Sequence, residues 1–249
     1  MDSGLYAACA GLVAQSQALE VAGHNLANLN TAGFRGQQTT FQSLVAASHP
    51  TVPNVLNLAT NNFGVLEGSH LDLTAGNLQP TGNPLDVGIE GGGFFAIQTA
   101  AGTFYTRNGS FQVSSSGELV TTEGDAVLSD ATLGEKGTIT VPPGAISIAP
   151  DGTLSVNGAV AGSIQLVEFA PGTRLASEGS MLLSAPLGSA KPAQKSALKQ
   201  GTLENSNVNS IGAVVTLIGV QRQAEMLQRA MSLFDTEFNQ IASNTLAKV

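Results

Sequence analysis

Few residues of this 249-residue chain combine the types and spacing that chemistry requires. The candidates are three histidines (His24, His49, His70), the lone Cys9, the run Gly91-Gly92-Gly93, and the carboxylates Asp86, Glu90, Glu118 and Glu123. A metal site gathers three or four nitrogen, sulfur or oxygen ligands, commonly with two of them close together in the chain. Here the histidines lie far apart with no Cys or carboxylate at that spacing, so no metal ligand is assigned, and His24 is expected on a polar helix surface. Cys9 stands among Ala7, Ala8 and Ala10 with no His, Lys or Arg nearby to lower its pKa. It is expected as a small buried helix residue, and a single cysteine gives no disulfide framework.

A phosphate loop needs Lys-Ser/Thr after its glycines and a helix beyond. Phe94-Phe95 follows Gly93 instead, so the glycines read as a tight β turn. No Gly-x-Ser-x-Gly elbow is present, and no Ser or Cys pairs with a base. A pair of carboxylates could in principle hydrolyse a glycoside. The acidic residues read instead as solvated strand ends, and with no Trp and only two Tyr the chain lacks the aromatic platforms that sugar clefts use. The reading is a non-enzymatic protein with no catalytic residues, no cofactor and no metal.

Composition narrows the partners. A net charge of −8, with no Lys/Arg cluster, speaks against nucleic acid. Hydrophobic residues make up 42% and mean hydropathy is +0.15. Even so, no apolar run approaches the roughly 20 residues that span a bilayer, so the chain is not read as membrane-embedded. Only 11% of residues are charged, against about 25% in ordinary globular proteins. Such a surface is expected to be buried in an assembly, the competing explanation being solvation by long Ser, Thr, Asn and Gln segments. The start, Met1-Asp2-Ser3-Gly4, has no basic n-region, and Gln15, Ser16, Gln17 and Glu20 break the apolar stretch that follows. Export is therefore expected without a cleaved signal peptide.

The elements that would hold these residues fall into three zones, giving an α+β chain with helical ends and a central antiparallel all-β domain. In the first zone Leu5, Leu12, Leu19 and Leu26 recur every seven residues, with Ala8, Ala22 and Leu29 three places further on. This a/d pattern predicts a helix from about Ser3 to about Asn28. In the last zone Leu217, Ala224, Met231 and Phe238 form one heptad series, and Val220, Leu227, Phe234 and Ile241 form the second. The two helices are expected to pack together in a coiled-coil-like manner. Ile211, Val214, Val215 and Ile218 widen the C-terminal stripe, so that helix is expected to have more than one partner.

Between them, short β-type runs alternate with turn dipeptides such as Asn108-Gly109, Ser116-Gly117 and Asn157-Gly158. The divisions are residues 1–36 for the N-terminal helix and its motif, 37–77 for an extended connector, 78–200 for the β domain and 201–249 for the C-terminal helix. Within 78–200, the stretch from Ser184 to Gln200 reads as a returning loop.

Three blocks carry a family likeness. The segment Asn25-Leu26-Ala27-Asn28-Leu29-Asn30-Thr31-Ala32-Gly33-Phe34-Arg35 resembles the Asn-Asn-Leu-Ala-Asn-x-x-Thr-x-Gly-Phe-Lys/Arg motif of the flagellar rod and hook proteins. It departs only at the first position, where His24 stands. Gly82 to Val87, Gly93-Phe94-Phe95 and Tyr105 to Phe111 resemble the β-domain signature of that family. Gly201 to Val208 with Gln221-Arg222 resembles the approach to its C-terminal helix.

The resemblance implies a structural subunit of the flagellar basal-body rod in the periplasm, exported by the flagellar type III apparatus. It also implies polymerisation with itself and with other rod and hook proteins through the terminal helices. The assembly residues would then be Leu5, Leu12, Leu19, Leu26, Leu217, Val220, Leu227, Met231, Phe234, Phe238 and Ile241. Within the family, the short chain and Gln223-Ala224-Glu225-Met226 look more like the proximal-rod branch than the distal-rod branch. Two other classes compete: a secreted binding module or adhesin whose helices merely oligomerise it, and a carbohydrate-active enzyme.

Overall fold

A computed structural model describes residues 2–43, 64–130, 137–179 and 181–246. Among the described residues its fold is α+β, with two helices and many antiparallel strands. The chain divides into two compact units, one of residues 1–27, 37–70 and 209–249, the other of residues 28–36 and 71–208.

In the first unit, helix α1 (Asp2–Ala27) lies against helix α2 (Ser210–Leu246). Asn209 caps α2: its side-chain Oδ1 accepts the Gly212 N–H at 2.9 Å and its carbonyl accepts the Ala213 N–H at 2.8 Å. Along α2 the half-buried row is Ala213, Leu217, Val220, Ala224, Leu227, Ala230 and Met231, and the other residues from Ser210 to Leu233 are exposed.

On α1 the buried face differs from the expected leucine seam. It consists of Gly11, Ala14, Gln15, Ala18 and Ala22. Leu12 and Leu26 are half-buried, and Leu19 is exposed. Small residues three and four apart form one continuous row on a helix, and they allow a close approach of backbones that leucines would hold off. The same geometry leaves Cys9 off the buried row and exposed, where a buried residue was expected. The side chains of Leu5, Phe234, Phe238 and Ile241 lie outside the described residues.

The stretch 37–77, expected as an extended connector, contains the strands Gln37–Ser43 and Gly64–Leu71, which pair with each other. Asn25, near the end of α1, clasps the first of them. Its Nδ2 donates to the Gln37 carbonyl at 2.7 Å and its Oδ1 accepts the Gln37 N–H at 2.9 Å.

The second unit is built around the strand Phe94–Thr99. This strand pairs with Gly102–Thr106, Ala126–Val127 and Leu166–Phe169, so both its edges and both its faces are covered. Residues alternate faces along a strand, which separates two neighbouring phenylalanines. Phe95 and Ile97 enter the main core with Val87, Ile89, Leu119, Leu154 and Ile164. Phe94 turns to a smaller cluster with Val167 and Leu183, against which Tyr105 and Phe169 pack.

Beside this sheet, Ile146–Ile148, Thr153–Val156 and Ala159–Ser163 form an antiparallel meander. Its second hairpin turns at Asn157-Gly158, whose φ angles of 52° and 84° suit a primed two-residue turn. The expected loop from Ser184 to Gln200 instead holds two strands. Ala190–Pro192 pairs with Leu166–Phe169, and Ala197–Gln200 pairs with Val87–Glu90. Pro192 is tolerated at the end of a short edge strand because no further ladder bond is asked of its missing N–H.

Candidate functional site

The residues able to do chemistry do not converge. Among the described residues no group of His, Cys, Asp and Glu is placed to hold a metal ion. His24 is half-buried on α1, His70 is exposed on its strand, and His49 lies outside the described residues. Glu90 faces Lys199 at 3.9 Å on the surface. Asp86, expected as a solvated strand end, is buried instead, and its Oδ1 accepts the Asn83 amide at 3.0 Å. Gly91-Gly92-Gly93 joins two strands, with the Gly93 N–H donating to Ser196 Oγ at 2.9 Å.

What does converge is one charged residue from each family-like block. Arg35 follows Gly33-Phe34, Arg107 follows the strand Gly102–Thr106, and Glu204 ends the strand Thr202–Glu204. Arg35 Nη2 donates to Glu204 Oε1 at 2.7 Å, and Arg107 Nη1 donates to Glu204 Oε2 at 3.1 Å. Glu204 Oε1 also accepts the Gly76 N–H at 2.7 Å. The side-chain exposures are 2% for Arg35, 1% for Arg107 and 0% for Glu204. Arg107 Nη2 donates to the Gly91 carbonyl at 2.7 Å, and its guanidinium lies 4.7 Å from the centre of the Phe94 ring. Burial, reinforced by repulsion from Arg35, lowers the Arg107 pKa to about 10, against the opposing pull of Glu204.

The segments carrying these charges are fixed by their own backbones. Gly33 has a φ of 70°, and a Cβ there would strike the Arg107 and Asn108 backbone. Its N–H donates to the Glu204 carbonyl at 2.7 Å. Gly109 is required for space and not for φ, because a Cβ would meet the Val87 carbonyl. Asn207 finishes the junction: its Oδ1 accepts the Gly36 N–H at 2.8 Å and its Nδ2 donates to the Asp72 carbonyl at 2.8 Å. Upstream, Thr31 donates to Asn28 Oδ1 at 3.1 Å, Phe34 is buried, and Leu26 and Ala27 sit at the end of α1.

Sequence reading assigned no role to Glu204 or Gly76 and quoted Arg107 only inside a motif. The available signal was charge economy. In a chain where 11% of residues are charged, the three blocks hold only Arg35, Asp86, Arg107, Glu204 and Arg222, and the acid of the third block complements the arginines of the first two.

Comparison with known proteins bears on what such a junction serves. Residues 5–35 match the family profile "Flagella basal body rod protein", residues 88–156 match "Flagellar hook protein FlgE/F/G D1 domain", and residues 199–244 match "Flagellar basal body rod FlgEFG protein C-terminal". The chain is 35% identical to the flagellar basal-body rod protein FlgF of Mesorhizobium japonicum, over 90% of each chain. It is 35% identical to FlgF of Escherichia coli, over 94% of this chain and 95% of the relative. It is 32% identical to the rod protein FlgG of Borreliella burgdorferi, over 98% of each.

Proposed function

The chain belongs to the flagellar basal-body rod protein family, a structural subunit and not an enzyme, and from that premise we propose that its two terminal helices polymerise it into the axial drive shaft. The observation that carries this reading is the two-sidedness of α2. One row, Leu217, Val220, Leu227 and Met231, is half-covered by the chain itself. Next to it Ile211 is 76% exposed and Val215 64% exposed, with Val214, Ile218, Met226 and Leu233 also open. An apolar face of that width is a contact surface in waiting. A rod needs heterologous contacts that do not close into a ring, which a second apolar face on one helix supplies.

Leu5, Leu12, Leu19, Leu26, Phe234, Phe238 and Ile241 complete the proposed interface, with heptad packing in the coiled-coil manner as its mode. The partners are copies of this chain and other flagellar axial proteins. Export through the flagellar type III apparatus without cleavage, and assembly in the periplasm, follow in the same reading. Its support is that Ala14, Ala18 and Ala22 form a packed face on α1, which makes this helix a working part of the fold. The segment Gln223-Ala224-Glu225-Met226 in the C-terminal helix supports the proximal-rod branch in this reading. No described helix is long and apolar enough to cross a membrane.

The test is motility and basal-body yield for Leu227→Asp and Phe234→Asp, with Gln240→Asp as control. A buried charge in a repeated contact costs several kcal/mol per subunit, so the first two should abolish rods and the control should be nearly silent. Normal rods from both seam variants would refute the reading.

A further inference from the structure

Each terminal helix carries a second stripe, on the side turned away from the other helix of its own chain. On α2, Ile211, Val215 and Ile218 continue through Arg222 and Met226 to Arg229, spaced three or four residues apart and all exposed. At 3.6 residues per turn this stripe lies across the helix from the half-buried Leu217, Val220 and Leu227. On α1, Cys9, Val13, Ser16, Glu20 and Ala27 are exposed and lie across the helix from the buried Gly11, Ala14, Ala18 and Ala22. The two stripes differ in character. That of α2 is apolar with two cations, whereas that of α1 is made mostly of small residues around Glu20, the only carboxylate between Ser3 and Ala27. Glu225 lies to one side of the α2 stripe, and among the described residues none of Glu20, Arg222, Glu225 and Arg229 forms a salt bridge.

We propose that the outer stripe of α2 seats on the outer stripe of α1 in the next copy of this chain, with Glu20 of that copy lodged between Arg222 and Arg229. The inference rests on assembly through the terminal helices and names the surface and register of that contact. Charge complementarity selects the occupant. A second α2 stripe would bring four arginines face to face, whereas the α1 stripe brings the one acid that both cations lack. The spacing fits as well. Arg222 and Arg229 stand about 10 Å apart along the helix axis, so a carboxylate midway is about 5 Å from the level of each and within reach of two long side chains. Because the stripes are unlike, the contact is heterologous: each copy offers one and receives the other, so contacts can continue from copy to copy.

The first measurement is charge exchange in the full chain, read as basal-body yield. Glu20→Arg should lower the yield at least about tenfold, while the purified subunit keeps the circular dichroism of the wild type because the side chain is exposed before assembly. Adding Arg222→Glu and Arg229→Glu to it should restore assembly. A wild-type yield from Glu20→Arg, or a triple variant no better than the single one, overturns the proposal. If Leu227→Asp still abolishes rods in that case, assembly by the terminal helices stands without this contact. The second measurement keeps all the charges. Ser16→Cys and Met226→Cys are combined in a Cys9→Ser background, and assembled rods are treated with a short bifunctional thiol reagent. The two positions lie on opposite outer sides of the helix pair, so the expected products are dimers and higher multimers of this chain. Links within single chains only, links to a different axial protein, or no links refute the proposal.

Discussion

In the β unit, Phe95, Ile97, Leu119, Leu154 and Ile164 are closed off from water, and the charges that had to go inside met partners from distant parts of the chain. Among the described residues of the helical unit the fully buried positions are small ones, Gly11, Ala14, Ala18 and Ala22, joined by Gln15, while Leu217, Val220, Leu227 and Met231 are only half-covered. The β unit completes its core by itself. The helix pair stops short of that, and stopping short is what a subunit that joins others requires: apolar surface left over after folding is the surface available for assembly. Among the described residues the chain thus combines a closed β core with a helix pair whose apolar face is partly open, the face that the proposed assembly would use.

The sharpest way to break this contrast is to delete equivalent apolar groups from each unit of the isolated subunit. Phe95 packs edge-on against Phe111, with ring centres 5.0 Å apart, inside a closed core. Phe95→Ala should therefore cost about 3–5 kcal/mol in denaturant unfolding followed by a β-unit probe. Leu227→Ala removes a side chain that already keeps contact with water, and should cost about 1 kcal/mol or less, scored by helical signal. Equal losses would mean that the helix pair is as complete as the β unit, and the contrast would fall.

The next largest effect concerns how the β unit completes itself. Glu204→Gln keeps the shape of the side chain but leaves Arg35 and Arg107 facing each other without a carboxylate. Removing one partner of a buried ion pair strands the other, here two, so a loss of about 3 kcal/mol is expected. A variant as stable as the wild type would show that the cluster is not part of the finished core.

How far the sequence made this contrast legible differs by element. Strands such as Phe111–Val113 and Leu119–Thr121 were legible because turn dipeptides bracket short apolar runs, and local chemistry decides them. The period of α2 was legible because large residues mark it, and the half-buried row Leu217, Val220, Ala224, Leu227 and Met231 follows it. On α1 the same logic misled. Leucines at seven-residue spacing drew the eye, yet Ala14 and Ala18 join the expected Ala22 in the packed face, and alanine gives little hydrophobic signal in a search for apolar periodicity. The strands Ala190–Pro192 and Ala197–Gln200 were hidden because Pro, Lys and Ser dominate them and their pairing partners lie far away in sequence. Glu204 was illegible for the same reason: its two cations are 169 and 97 residues away.

The smallest expected effect lies at the surface of the finished unit, where pairing is local. Glu118 receives hydrogen bonds from Thr138 Oγ1 at 2.7 Å and from Ser116 Oγ at 3.1 Å, and these hold its pKa below the ordinary 4.5. Asp151 accepts the Thr153 N–H at 3.0 Å, which holds its pKa below the ordinary 3.8. A carboxyl with a lowered folded pKa binds fewer protons folded than unfolded, so its contribution is fully present above the unfolded value and is lost as pH falls through the folded one. For Glu118 that window opens below 4.5, and for Asp151 below 3.8. Carboxyl titrations followed by NMR should place both midpoints under those values. Glu118→Gln should melt slightly below the wild type at neutral pH, with the gap closing on acidification. A Glu118 midpoint at or above 4.5, or a gap that persists in acid, would show that Thr138 and Ser116 do not stabilise the carboxylate. The surface of the β unit would then owe nothing to these local hydrogen bonds, and its completeness would rest on the core and the buried cluster alone.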